Sequence, residues 1–232
     1  MEFKLILTCE HASNDVPLEL MPCFRNEESI LNTHEAWDVG AFQIMRKLLP
    51  LATGCFVGSI SRLVVDLNRS LDHPNLHSTF VTNQNLIDLQ YYIDLYYNPL
   101  RTSVRSLIAQ QIAEGHRVLH VSVHSFTPVL AGEIRQADVG VLYDPACKAE
   151  DAFCTKWQHA MHQVNPKLCV RLNYPYLGTD DGHTTALRQE FLQEDYLGVE
   201  LEVNQKYFLD NHPDKDVVLQ NIYAVTKAMI VN

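Results

Sequence analysis

The sequence predicts an α/β protein: a three-layer sandwich with a mixed, largely parallel sheet covered by helices on both faces. Short apolar runs of Val, Leu and Ile alternate along the chain with longer stretches of helical periodicity. That alternation favours a parallel sheet buried on both sides. Several of the apolar runs also end in polar, chemistry-bearing residues, and in such sheets ligands bind at the carboxyl ends of strands. No repeat, linker or low-complexity tract divides the chain, so residues 1–232 are expected to form a single domain.

Taken in order, a first strand is predicted from about Lys4 to Cys9. A helix follows from near Ala36 through Leu49, with Val39, Phe42, Ile44, Met45, Leu48 and Leu49 as its apolar positions. Strands are expected near Cys55–Ile60 and Leu63–Leu67. Residues Leu86 to Glu114 read as helical, divided in two by Pro99 because proline lacks a backbone donor and crowds the preceding turn. Gly115 is the expected stop. Then come strands at Val118–Val123 and Gly140–Tyr143, a helix over Ala149–Gln163 and a strand at Leu168–Leu172. A Gly/Asp-rich turn at Leu177–Gly182 precedes a strand at Val199–Val203 and a final helix over Lys215–Met229.

The chain has 232 residues, 47% of them hydrophobic, enough for a substantial core. Its formal net charge of -10 argues against nucleic-acid binding, which needs a basic stripe to meet phosphates. A small anionic substrate stays compatible, because a local arginine pair can oppose the global sign. The six cysteines, Cys9, Cys23, Cys55, Cys147, Cys154 and Cys169, form no C-x-x-C pair and read as reduced. Glu2 and Lys4 interrupt any leader-like run, and no apolar stretch is long enough to span a bilayer. A soluble cytoplasmic protein without a membrane partner is the expectation. The sequence is silent on oligomeric state.

Three groups of residues point to chemistry. The strand Leu119-His120-Val121-Ser122-Val123-His124 delivers His124 to its C-terminal tip before Pro128, and Leu5-Ile6-Leu7-Thr8-Cys9-Glu10-His11 delivers His11 in the same way. A catalytic zinc takes three ligands from His, Asp or Glu and leaves one position for water. His11 and His124 are the nitrogen donors of choice. For the third ligand Asp38, Glu10 and Asn14 all stay open, and Asp38 alternatively stabilises a helix start. Arg62, Asn68 and Arg69 flank the apolar run Leu63–Leu67 and suit a carboxylate, since arginine presents a planar bidentate fork. The alternative pairs Arg69 with Asp66 or Asp72 at the surface. Glu200 and Glu202 lie two apart on one strand and so share a face. There either would serve as a general base, or both would be solvated acids on an edge strand.

Together these segments resemble the N-formylglutamate amidohydrolase family. The resemblance is carried by Cys9-Glu10-His11-Ala12-Ser13-Asn14 with Val16-Pro17, Trp37-Asp38-Val39-Gly40-Ala41, Ser61-Arg62, Asp66-Leu67-Asn68-Arg69, His124-Ser125-Phe126-Thr127-Pro128 and Glu202-Val203-Asn204-Gln205, in that order. The family is similar in fold to the zinc carboxypeptidases and aspartoacylase-like deacylases, a phosphorylase/hydrolase-like architecture. The resemblance implies Zn2+ or another divalent metal held by His11, Asp38 and His124. It implies Glu202 as the catalytic carboxylate and Arg62 as the group that polarises the scissile carbonyl. Asn68 and Arg69 then grip the substrate's carboxylate, and Arg188, in Thr184-Thr185-Ala186-Leu187-Arg188, is a further candidate for binding an anionic side chain. Where carboxypeptidases have a glutamate three residues after the first histidine, this chain has Asn14.

The activity so implied is hydrolysis of the amide of a small N-acyl acidic amino acid, N-formyl-L-glutamate to formate and L-glutamate. Two alternatives stand beside it: a deacylase or peptidase with another acyl group, and a non-catalytic binder of an anionic amino acid, kept open by Asn14. Fold alone does not choose between them. The polar segment Leu71–Asn85 is the expected source of substrate selection.

Overall fold

The computed structural model describes residues 3–84, 87–210 and 212–231. Eight strands are described: β1 (Phe3–Cys9), β2 (Gly54–Val57), β3 (Arg117–Phe126), β4 (Val129–Leu130), β5 (Glu133–Ile134), β6 (Val139–Leu142), β7 (Val170–Leu172) and β8 (Tyr196–Asn204). The α-helices are α1 (Ala41–Leu48), α2 (Thr79–Thr82), α3 (Leu89–Tyr92), α4 (Asn98–Ala113), α5 (Lys148–Val164), α6 (His183–Arg188) and α7 (Lys215–Val231). Six strands form a sheet in the order β2-β1-β3-β8-β6-β7, parallel except where β6 meets β8. The expected α/β sandwich with a mixed, mostly parallel sheet is what the chain forms.

Strand alternation gives the sheet two unlike faces. Odd-numbered residues, among them Leu5, Leu7, Leu119, Val121, Val123, Val199 and Leu201, join the main core with α1, α5 and α7. Even-numbered residues face the other way. At the base of the strands Ile6, Val118 and Tyr196 pack against Val104 and Ile108 of α4 and Leu187 of α6. Higher up, the even face turns polar: Thr8, Glu10, His120, Ser122, His124, Glu200 and Glu202 are all buried there. Register puts Ser122 beside Glu200 and His124 beside Glu202. A third cluster, from Leu20 and Phe24 to Tyr92 and Tyr97, closes this end with irregular chain.

Several predicted elements are corrected. Helix α1 begins at Ala41, not Ala36, because Gly40 adopts φ 88° and caps it from the left-handed region. A Cβ on Gly40 would lie 2.1 Å from Phe208 Cγ, so the turn needs glycine there. The apolar run Leu63–Leu67 is not a strand. Val64 N–H donates to Ser61 O and Asp66 N–H to Leu76 O, so its backbone is satisfied by turns while its side chains fill the third cluster. Strand β2 stops at Val57, three residues short of Ile60. Pro99 does not divide the helical stretch: α3, a π turn at Ile93–Tyr97 and α4 follow without a gap, and Pro99 sits in the first turn of α4, where its missing N–H is tolerated. The predicted helix start at Leu86, and Asn85 at the end of the polar segment, lie outside the described residues. No described helix is long and apolar enough to cross a membrane.

Candidate active site

At the carboxyl ends of β1, β3 and β8 a cleft of about 200 Å³ opens, lined by His11, Asp38, Arg62, Asn68, Arg69, His124, Glu200 and Glu202 among others. This is where sequence reasoning placed a site. His11 follows β1, His124 lies on β3 and Glu202 on β8. Asp38 is brought in by a turn whose N–H donates to His11 O at 2.9 Å. Among the described residues, His11, Asp38 and His124 form a group able to hold a metal ion, with ligand atoms within 4.8 Å of one another. Asp38 Oδ2 lies 2.8 Å from His124 Nδ1 and 3.5 Å from His11 Nδ1, while Oδ1 pairs with Arg62. His11 Nδ1 is buried without a hydrogen-bond partner. An orphaned imidazole nitrogen beside a second nitrogen and a carboxylate oxygen fits a divalent cation of the zinc type.

The other nitrogen of each imidazole is held from behind. His11 Nε2 meets Asp66 Oδ1 at 2.6 Å, and Asp66 Oδ1 also accepts from Asn68 N–H. His124 Nε2 lies 2.8 Å from Ser122 Oγ, which donates to Glu10 Oε2 at 2.7 Å. Glu10 therefore faces the layer beneath the site rather than the cation position. Asn14 is engaged elsewhere, donating to Leu31 O.

Charges are concentrated and strongly perturbed. Burial is the largest influence on Asp38 and pushes it up, but Arg62 and the two imidazoles outweigh it and hold the carboxyl well below its usual range. Burial likewise raises Glu10, yet His183 and nearby imidazoles keep it well below 4.5. Burial lowers His124, but the Asp38 hydrogen bond and charge, with Glu202 and Glu10, push it up to about 10. Glu202 moves the opposite way from Asp38 and Glu10: burial raises it, joined by Asp38 and Glu200 and opposed by His124 and Arg62, to about 8. Its Oε2 is buried with no partner, whereas Glu200 Oε1 accepts from Thr184 Oγ1 at 2.7 Å. The solvated-edge alternative fails for both acids, because β8 is a central strand buried along its whole length.

Of the residues expected to bind an anion, Asn68 Oδ1 accepts from His183 N–H, and Arg69 donates to Asp181 O while its Nε lies 3.9 Å from Asp66 Oδ2, the pairing given as its alternative. Arg62 keeps a buried Nε without a partner. Arg188 does not join them. Its guanidinium is consumed by Glu150, Gly178 O, Gly198 O and Thr185, away from the cleft lining. The sequence offered no sign that a buried Glu150 stood ready to take it. Missed by sequence reasoning were Ser122, His183, His34, Tyr176 and Gln205, all but Ser122 and His183 on the cleft wall. Ser122 carried one usable signal, its position two residues before His124 on the same strand face.

Comparison with known proteins gives three matches. Residues 3–209 match the family model for N-formylglutamate amidohydrolase. The fold is similar to that of gene product Atu2144 from Agrobacterium tumefaciens, with TM-score 0.81 and 27% identity over 99% of this chain and 91% of that one. It is also similar to N-formylglutamate amidohydrolase from Ralstonia eutropha JMP134, with TM-score 0.72 and 15% identity over 99% of this chain and 93% of the other. Comparison with curated proteins gives no match.

Proposed function

The chain belongs to the N-formylglutamate amidohydrolase family, hydrolases that act on amides, and from that premise we propose that it is a metal-dependent amidohydrolase cleaving N-formyl-L-glutamate to formate and L-glutamate. The observation that carries this reading is Glu202. Its carboxylate is buried, lacks a partner at Oε2, is raised to about 8, and stands on the strand beside His124. In the cation-free protein that group is mostly protonated at neutral pH; a cation bound beside it would lower it again and free the carboxylate to take a proton and return it.

His11, Asp38 and His124 would hold the cation, expected to be Zn2+. When bound, it supplies an activated water and polarises the scissile carbonyl. Glu202 takes the proton of the attacking water and passes it to the departing amine nitrogen. Arg62, anchored on Asp38 and lining the cleft, would stabilise the oxygen on which negative charge develops. Asn68 and Arg69 hold the α-carboxylate of the substrate. His34 and Tyr176, also on the wall, border the space left for the acyl group and side chain.

The test is formate release from N-formyl-L-glutamate by zinc-loaded protein, with a chelated sample alongside. Chelator-sensitive release supports the reading. No release from zinc-containing protein removes this substrate and directs the search to other N-acyl amino acids.

A further inference from the structure

Beneath the cleft His183, Glu10 and Ser122, which neither the proposed mechanism nor the cation set uses, form a buried chain that leads to His124. His183 Nδ1 lies 2.9 Å from Glu10 Oε1, Ser122 Oγ donates to Glu10 Oε2 at 2.7 Å, and Ser122 Oγ lies 2.8 Å from His124 Nε2. All four residues are buried, Glu10 completely. We propose that His183 and Glu10, acting through Ser122, form a positioning relay that fixes the orientation of His124 in the candidate metal site. The proposal rests on reading His11, Asp38 and His124 as a cation site.

The direction of each hydrogen bond follows from donor counting. A carboxylate only accepts, so Glu10 takes the Ser122 hydroxyl proton on one oxygen and the His183 Nδ1 proton on the other. With its single proton committed, Ser122 Oγ has only lone pairs to offer, and it accepts N–H from His124 Nε2. His124 Nδ1 is thereby left as the nitrogen that faces Asp38 and the cleft. An imidazole without such a tether has a broad, roughly two-fold ring torsion and no preferred nitrogen. Outer hydrogen bonds of this kind orient metal-binding imidazoles.

The relay's far end is itself anchored. His183 opens α6, and its backbone N–H donates to Asn68 Oδ1 at 2.8 Å. The same short helix thus ties the anion-binding loop to the layer under the cation site. Neighbouring Thr184 bonds Glu200 and stands outside the relay.

Zinc affinity, measured by competition with a chromophoric chelator, tests this without reference to turnover. Ser122→Ala and His183→Leu are expected to weaken zinc binding by about 10–100-fold. The double variant should lose no more than the weaker-binding single variant, because both changes break one chain. His183→Asn keeps an N–H donor near the Nδ1 position and should restore most of the affinity, and Thr184→Val should leave it unchanged. The relay is overturned if His183→Leu binds zinc as the parent does, if His183→Asn is as weak as His183→Leu, or if the two losses add. A parent that takes up no zinc overturns the cation reading itself, which separates the two failures. Melting of the chelated variants verifies that each one compared is folded.

Discussion

Replacing Glu202 with Gln separates what this residue does for turnover from what it costs the fold. In the chelated protein burial raises its carboxyl from the usual 4.5 to about 8. Between those values the folded chain keeps a proton that the unfolded chain has released. By linkage, stability then falls as pH rises, by about 1.4 kcal/mol per pH unit, and levels off above pH 8. From pH 5 to pH 7 the site removes on the order of 3 kcal/mol. Gln has no proton to lose, so the stability gap between Glu202→Gln and parent should widen in favour of the variant over that interval. Guanidinium denaturation of both proteins at pH 5, 6, 7 and 8, with chelator, reads the gap directly. Parallel pH curves would refute the claim that the fold holds Glu202 in its neutral form. In the zinc-loaded protein the same change should lower turnover by at least about 100-fold, the lower range for a lost general acid–base group, with zinc retained. An equal loss in Glu200→Gln would move the role to Glu200.

Two further substitutions distinguish gripping the substrate from holding the fold. Arg69→Ala should raise KM more than it lowers kcat, with a loss in kcat/KM of roughly 10–100-fold, as expected for one charge-assisted contact worth about 1.5–3 kcal/mol; an unchanged KM for N-formyl-L-glutamate removes Arg69 from substrate binding. Arg188→Met strands the fully buried Glu150 and should cost about 3–5 kcal/mol in denaturant unfolding while leaving KM untouched, and a raised KM in a protein of parental stability would return Arg188 to the cleft.

Legibility of the sequence followed periodicity. β3, β8, α5 and α7 were readable because each carries its own pattern, and His124 and Glu202 were readable because they interrupt apolar strands near their ends. Pattern assigns a residue to a face but not a strand to its neighbour. That β8 lies between β3 and β6, which brings Glu202 beside His124, emerges only from the register. The run Leu63–Leu67 misled because burial by irregular chain produces the same apolar signature as a strand. Asp38 and Asp66 come from turns, where no period marks them, and only the family resemblance selects Asp38 over Glu10 and Asn14. Arg188 shows the converse failure: the family resemblance offered it a ligand-binding role, but its partner Glu150 lies 38 positions away in sequence.

The site also explains why a cation should matter to the fold as well as to the chemistry. Glu10, Asp38, Asp66 and Glu200 are buried around it beside the neutral Glu202, and Arg62 is the arginine paired with Asp38 there. Buried carboxylates in such number need compensation beyond hydrogen bonds. Asp38 is the pivot, giving Oδ1 to Arg62 and Oδ2 to the two imidazoles. A cation bound only by the folded chain stabilises it by about 2.7 kcal/mol at 100 times its dissociation constant. For a chain of this size that corresponds to a rise in melting temperature of roughly 5–10 °C. Asp38→Asn keeps the shape but removes the charge, so zinc should move its melting temperature far less than the parent's. If zinc stabilises Asp38→Asn as strongly as the parent, the cation is bound elsewhere, and Asp38 serves to anchor Arg62 instead.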